Sequence, residues 1–270
     1  MAYNRKDAHE DTAQNTVLAP APQQQAAQAY QQTAPTVSQV LGVVPFYKIA
    51  NPGPIGLISF AITTFCVGLY HCGAGLPGTN PQNDEAIGPD TAVIGMAVFV
   101  GGIAQFAAGM WEMRVGNTFG ATVHTLYGGF WLAYSCFLIP FFGISKAYGK
   151  TEAGARALSF ALGIFMTIWC FLTVTFCIAA LRTNVAILAT LGSLALAFLM
   201  LGIGQYLKTL NPVSSMHCEK AGGALAVVCS VCALYAGAAG LMLPQTTPVS
   251  LVLPPLSRVV PAEVREPAVL

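Results

Sequence analysis

Long apolar runs broken by short polar stretches fill residues 50 to 243. A bilayer hydrocarbon core about 30 Å thick needs roughly 20 helical residues. Six runs reach that length: 55–76, 91–113, 118–142, 157–181, 184–207 and 220–243. A helix satisfies its own backbone donors and acceptors, which lipid cannot do for it. The pattern therefore predicts an all-α membrane protein with six transmembrane helices and both termini on one side. The flanks read differently. Residues 1–50 set Gln23, Gln24, Gln25, Gln28, Gln31 and Gln32 among alanines and prolines, too polar a mixture to bury a core. The expected organisation is a disordered Gln/Pro-rich N-terminal tail over 1–50, a six-helix domain over 51–243, and a Pro-rich C-terminal tail over 244–270, also without fixed structure. No charged leader followed by an apolar stretch and a cleavage site stands near Met1, so the first span is expected to act as the targeting signal.

Composition agrees, with 55% hydrophobic and 9% charged residues against roughly 25% charged in soluble domains. With only loops and tails outside the bundle, no soluble catalytic domain is available. No nucleophile, base and orienting group assemble from these residues, so an enzyme is not expected. Neither a cofactor nor a nucleic-acid partner is expected. Eight cysteines form no framework. Cys229 and Cys232 have zinc-like spacing but no second Cys or His pair nearby in sequence, so no metal site is expected and buried cysteines act as small apolar residues. With cytoplasmic termini, Arg5, Lys6, Lys48, Arg114, Arg182, Arg258 and Arg265 lie inside, against Lys146, Lys150, Arg156, Lys208 and Lys220 outside. This slight bias, with a first outer loop carrying Asp84, Glu85 and Asp90 but no Lys or Arg, points to cytoplasmic termini.

The first span is entered through Asn51-Pro52-Gly53-Pro54. Two prolines remove two donors and disfavour helix at the residues before them, so the helix is expected to start at Pro54. The amides beyond it carry the positive end of the helix dipole, where an anion fits; a simple proline stop explains the same residues. The span centres hold no Lys, Arg, Asp or Glu, and Glu112 and Arg114 fall at one membrane edge. Their polar groups are hydroxyls, amides and rings: Thr63 and Thr64, Gln105 and Gln205, and a face of the third span with His124, Tyr127, Trp131 and Tyr134. That stripe can line a pore or pack helices, and His124 can serve either end. At an offset of 100, Ser59, Phe60, Ala61 and Phe65 match Ser159, Phe160, Ala161 and Phe165, and Gly102, Ile103 and Gln105 match Gly202, Ile203 and Gln205. Spans three and six show no such match, and chance similarity among apolar helices explains the same pairs; three-helix halves have opposite orientation, so a genuine repeat is inverted and places a path where the halves meet. Small residues four apart, such as Ala97 and Gly101, Gly116 and Gly120, and Ala236 and Gly240, read as close packing between helices.

Four strings, NPGPIGL, GGIAQFAAGMWE, GNTFGAT and YGGFWLAY, in this order resemble the acetate uptake transporter family of fungal acetate permeases and bacterial succinate-acetate permeases. The likeness spans about residues 50–243. The family pattern at the first string is NPAPLGL, so Gly53 and Ile55 depart from it, and His124 and Leu126 stand where the family more usually has small or apolar and small polar residues. The resemblance implies a plasma-membrane six-helix protomer assembled as a homo-hexamer. Each protomer would have its own route for acetate and related short monocarboxylates, commonly with proton symport. It further implies an apolar constriction of Phe60, Tyr127 and Leu194, with substrate contacts from Asn51, Pro52, Pro54, Thr63, Thr64 and Gln105. His124, Trp131 and Gln205 are further candidate pore-lining residues. Two other readings remain open: an acetate or ammonium sensor signalling through its tails, and a neutral-solute channel for ammonia or urea.

Overall fold

The computed structural model describes residues 49–74 and 89–256; the expectation for the N-terminal tail lies almost wholly outside them. Six long elements succeed one another: α1 (Gly53–His71), α2 (Met96–Arg114), α3 (Thr118–Leu138), α4 (Glu152–Ala179), α5 (Val185–Leu207) and α6 (Pro212–Leu241). Five are long and apolar enough to cross a membrane alone, and α3 reaches that standard together with Pro140–Ala147, bent 75° from it. The helix carrying the polar stripe is thus the least apolar.

Side-chain oxygens start most of the helices. Asn117, Asn184 and Asn211 each accept a backbone N–H, from Gly120, Ile187 and Ser214, at the starts of α3, α5 and α6. Thr151 does the same for α4 through Gly154. Such caps satisfy donors that have no partner within the helix. The first helix begins at Gly53, one residue earlier than the prolines suggested. Pro52 takes a right-handed helical conformation (φ −78°, ψ −17°) as the residue before the helix, and Gly53, lacking a Cβ, tolerates the proline next to it.

The helices neighbour one another in chain order and close into a ring. α1 packs on α2 and α6, α2 on α3, α4 on α5, and α5 on α6. Aromatic side chains join α3 to α4, with the Phe130 and Trp169 ring centroids 5.1 Å apart. Where α1 meets α6 the backbones almost touch: a Cβ on Gly68 would stand 2.9 Å from the Gly223 carbonyl oxygen. Small residues allow such approach in lipid, which supplies no hydrophobic drive between helices. Gly116 is not part of such a stripe. Its φ of 81° turns the chain between α2 and α3, a left-handed conformation that suits glycine.

Two further features shape the interior of the bundle and one of its ends. The first nine residues of α2, Met96–Ala104, form a π-helix, and the Gln105 N–H reaches back to the Val100 carbonyl. Each residue advances about 100° around an α-helix, so a wide turn here resets the direction in which Gln105 faces. Residues 244–256, for which composition suggested no fixed structure, fold back on the α4–α5 turn. The Val185 N–H donates to the Pro254 carbonyl at 3.1 Å and the Leu256 N–H to the Thr183 carbonyl at 3.1 Å. The Tyr235 hydroxyl of α6 donates to the Val252 carbonyl at 2.7 Å.

Candidate functional site

The bundle encloses a cavity of about 310 Å³ near the end where α1, α3 and α5 begin. At about 30 Å³ per water molecule it has room for roughly ten. Its lining is built in layers one helical turn apart. Phe60, Tyr127 and Leu194 come from α1, α3 and α5; Leu57, His124, Thr190 and Leu191 stand one turn nearer the mouth; Gly53, Gly120 and Ile187 stand one turn further. Gln105, Glu112 and Asn117 line it from the α2 side, and Thr183 and Asn184 from the α4–α5 turn.

The inner end is apolar and ordered by ring contacts. The Tyr127 ring lies 5.6 Å from Phe60, 6.0 Å from Trp169 and 5.8 Å from Phe176, the last edge-on. Its hydroxyl is held away from the cavity by α4, 2.9 Å from Thr173 Oγ1. Thr173 spends its own proton on the Trp169 carbonyl at 2.6 Å, so Tyr127 is the donor in this pair. The three residues expected to form the constriction therefore stand together, with Tyr127 locked from behind.

The outer part is polar. Glu112, only 3% exposed, accepts a 2.7 Å hydrogen bond from Asn117 Nδ2. The same Asn117 caps α3 by accepting from the Gly120 N–H at 3.0 Å, so one side chain fixes both the carboxylate and the helix start. Across the cavity, a Cβ on Gly53 would stand 3.3 Å from Glu112 Oε1. The start of α1 thus faces the protein's own carboxylate, which its dipole stabilises. Asn51 serves this start from outside, its Oδ1 accepting from the Gly53 N–H at 3.0 Å, and the Gly56 N–H bonds the Pro52 carbonyl at 3.3 Å. Pro54 has no N–H to offer.

The expected site residues are therefore divided. Phe60, Gln105, His124, Tyr127 and Leu194 line one cavity. Asn51, Pro52 and Pro54 shape its mouth without lining it; Pro54 packs where a Cβ on Gly240 would stand 3.0 Å away. Thr63 and Thr64 lie about one turn beyond Phe60, where the Thr63 hydroxyl is spent on the Ser59 carbonyl. Trp131 lies one turn beyond Tyr127, packed over Gly101 of the π-helix. The Thr64 hydroxyl, Trp131 Nε1, Gln105 Oε1 and His124 Nδ1 are buried without a hydrogen-bond partner among the described residues, and buried polar groups in this state mark places where water or a polar ligand completes them. Gln205 lies elsewhere, donating to Glu219 Oε1 at 3.3 Å between α5 and α6. Sequence reasoning placed Glu112 at a membrane edge and overlooked Asn117. Both sit within the strings GGIAQFAAGMWE and GNTFGAT, and the helix cap signal at Asn117 was readable there.

A ring of six helices around a cavity with a polar mouth and an aromatic inner end defines a multi-pass membrane protein of the transporter and channel class. The chain belongs to the GPR1/FUN34/yaaH family, whose model matches residues 31–258. It is 37% identical over 196 residues to acetate permease A of Emericella nidulans, covering 72% of this chain and 62% of that protein. It is 32% identical over 212 residues to ammonia transport outward protein 2 of Saccharomyces cerevisiae, covering 78% of this chain and 68% of that one. Among solved structures, the bacterial acetate channel SatP superposes with a TM-score of 0.58 and 28% identity, covering 77% of this chain and 99% of that one.

Proposed function

We propose that this protein carries acetate and related short-chain monocarboxylates across the plasma membrane, with a proton, through a path in each protomer of a homo-hexamer whose termini are cytoplasmic. No enzymatic role is assigned. The observation that carries the reading is the placement of Glu112 in the same small cavity that ends at Phe60, Tyr127 and Leu194. A substrate carboxylate entering this cavity comes close to a second carboxylate. Two bare negative charges in one small space with mostly apolar walls repel strongly, so the occupied cavity holds a proton between them. An acid that meets the apolar constriction with its charge neutralised avoids most of the desolvation cost of passing it. The acetate-named relative and channel structure support the substrate class, and the polar-to-apolar sequence of layers supports the order of events: capture at the mouth, neutralisation beside Glu112, passage at the girdle.

Labelled acetate flux into proteoliposomes, with and without an acid-outside pH gradient, tests this. The expected result is uptake accelerated by the gradient, competed by propionate and not by urea, with altered rates for Phe60→Ala and Tyr127→Ala. Equal rates for both variants and the parent would remove the constriction assignment. The similarity to an ammonia-named protein keeps one rival in view, a channel for neutral ammonia or urea. Flux of those solutes without competition by propionate would establish it instead.

A further inference from the structure

His124 occupies the layer between the polar mouth and the apolar girdle, and its surroundings decide what it can do there. It is 6% exposed, lines the cavity, and stands one turn before Tyr127 on α3. One face of its ring lies over Gly56 of α1: a Cβ on Gly56 would be 2.5 Å from Nδ1, 2.6 Å from Cε1 and 2.6 Å from Cγ. Contact at that distance leaves no space for any side chain at 56, so glycine is the seat of the imidazole. Nδ1 is buried and has no hydrogen-bond partner among the described residues. Nε2 is not sealed off in this way, and in a residue that lines the cavity it is the nitrogen left to meet a ligand there.

This geometry selects one form of the ring. In a neutral imidazole one nitrogen carries hydrogen and the other accepts, and the tautomer is set by what each nitrogen meets. A hydrogen on Nδ1 would be buried with no acceptor among the described residues, which is costly. The hydrogen belongs on Nε2, where it can be donated into the cavity.

We infer that His124 is a substrate-positioning residue: Nε2–H donates to a carboxyl oxygen of the monocarboxylate in the last layer before the girdle. One turn of helix is about 5.4 Å, so an acid held by its carboxyl group at this level has its alkyl end beside Phe60, Tyr127 and Leu194. The orientation is alkyl end first. The inference rests on the proposed carriage of monocarboxylates and adds a residue, an atom and a direction to it.

The test is acetate flux kinetics in proteoliposomes made with the full chain, comparing the parent with His124→Gln and His124→Met. Both replacements resemble histidine in size, and only glutamine offers an N–H donor. One hydrogen bond is worth about a tenfold change in affinity. The expected result is a KM for acetate raised about tenfold in His124→Met with kcat within twofold, and a KM near the parent's in His124→Gln. A parent-like KM in His124→Met overturns the inference while leaving the transport reading intact; a parent that moves no acetate overturns both. A second pair covers a variant that folds badly. Gly56→Ala is expected to lose flux through collision with the ring, and the double variant Gly56→Ala, His124→Ser to recover it with a raised KM. A double variant as inactive as Gly56→Ala would show that Gly56 does not act as the seat of His124, and would likewise overturn the assignment.

Discussion

A carboxylate taken out of water needs donors around it, and among the described residues Glu112 has one side-chain donor, Asn117 Nδ2, together with the start of α1 nearby. That sparing arrangement suits a group that exchanges a proton rather than one that anchors an ion pair. Replacing it by glutamine keeps the shape and removes the proton site. Glu112→Gln is expected to abolish the acceleration of acetate uptake by a pH gradient while exchange of acetate across equal pH persists; uptake that still tracks the gradient would exclude Glu112 as the proton site. Thr173 illustrates a different residue-scale effect, because it never reaches the cavity yet holds Tyr127 by its hydroxyl. Thr173→Val leaves a buried hydroxyl without an acceptor, at a cost of about 1–3 kcal/mol. Thermal unfolding in detergent should show a lowered midpoint, and in a Tyr127→Phe background the same substitution should cost little. Tyr127, like His124, was legible from its spacing on one helix face. Glu112 was visible as a residue but not as a site, because its burial depends on how α2 is rotated against α1 and α3.

At the scale of elements, that rotation comes from the π-helix over Met96–Ala104. Its wide turn brings Gly101 against Trp131 of α3 and Thr63 of α1, where a Cβ would stand 2.7 Å from Trp131 Cδ1 and 2.9 Å from Thr63 Cγ2. Gly101→Ala therefore forces the tryptophan to move, at about 1–3 kcal/mol for overpacking, and a parent-like unfolding midpoint would exclude this close packing. Hydrophobic periodicity could not show the π turn, since apolar residues surround this span on every side. The inverted repeat remains a proposal, and a spacing supports it beyond the matches at offset 100. Gly128-Gly129 stands eleven residues after the cap Asn117, and Gly222-Gly223 stands after the cap Asn211 by the same interval. The C-terminal segment is a further element that composition concealed. Its backbone pairs with residues either side of Asn184, and Asn184 lines the cavity mouth. Tyr235→Phe removes the hydroxyl that ties Val252 to α6. Faster hydrogen exchange at the Val185 and Leu256 amides is the expected outcome, and unchanged exchange would mean that the segment is held without Tyr235.

At the scale of the molecule, one chain lines the cavity from α1, α2, α3 and α5, which bears on the proposed hexamer. If each protomer conducts alone, vesicles containing mixed hexamers of parent and Glu112→Gln subunits should lose gradient-driven uptake in direct proportion to the fraction of variant; a steeper loss would mean that subunits act together. The outward sides of α2 and α4, with Phe99, Ile103, Ile164, Ile168 and Phe171 exposed in the single chain, are the apolar surfaces left for lipid and neighbouring subunits. One-dimensional rules account for everything the amino-acid sequence determined by itself: run length against bilayer thickness called for six spans, side-chain oxygens at 117, 151, 184 and 211 start four of them, and the order of four short strings pointed to the family. Tertiary structure decided which polar groups share a space. It gathered Glu112, Asn117 and Gln105 with Phe60, His124, Tyr127 and Leu194, left Asn51 and the prolines outside the lining, and sent Gln205 to another helix pair. The physical reason is that in an apolar bundle nearly every helix face is compatible with burial, so the rotation of each helix is set by close backbone approach, ring contacts and a π turn, all of them made between residues far apart in the chain.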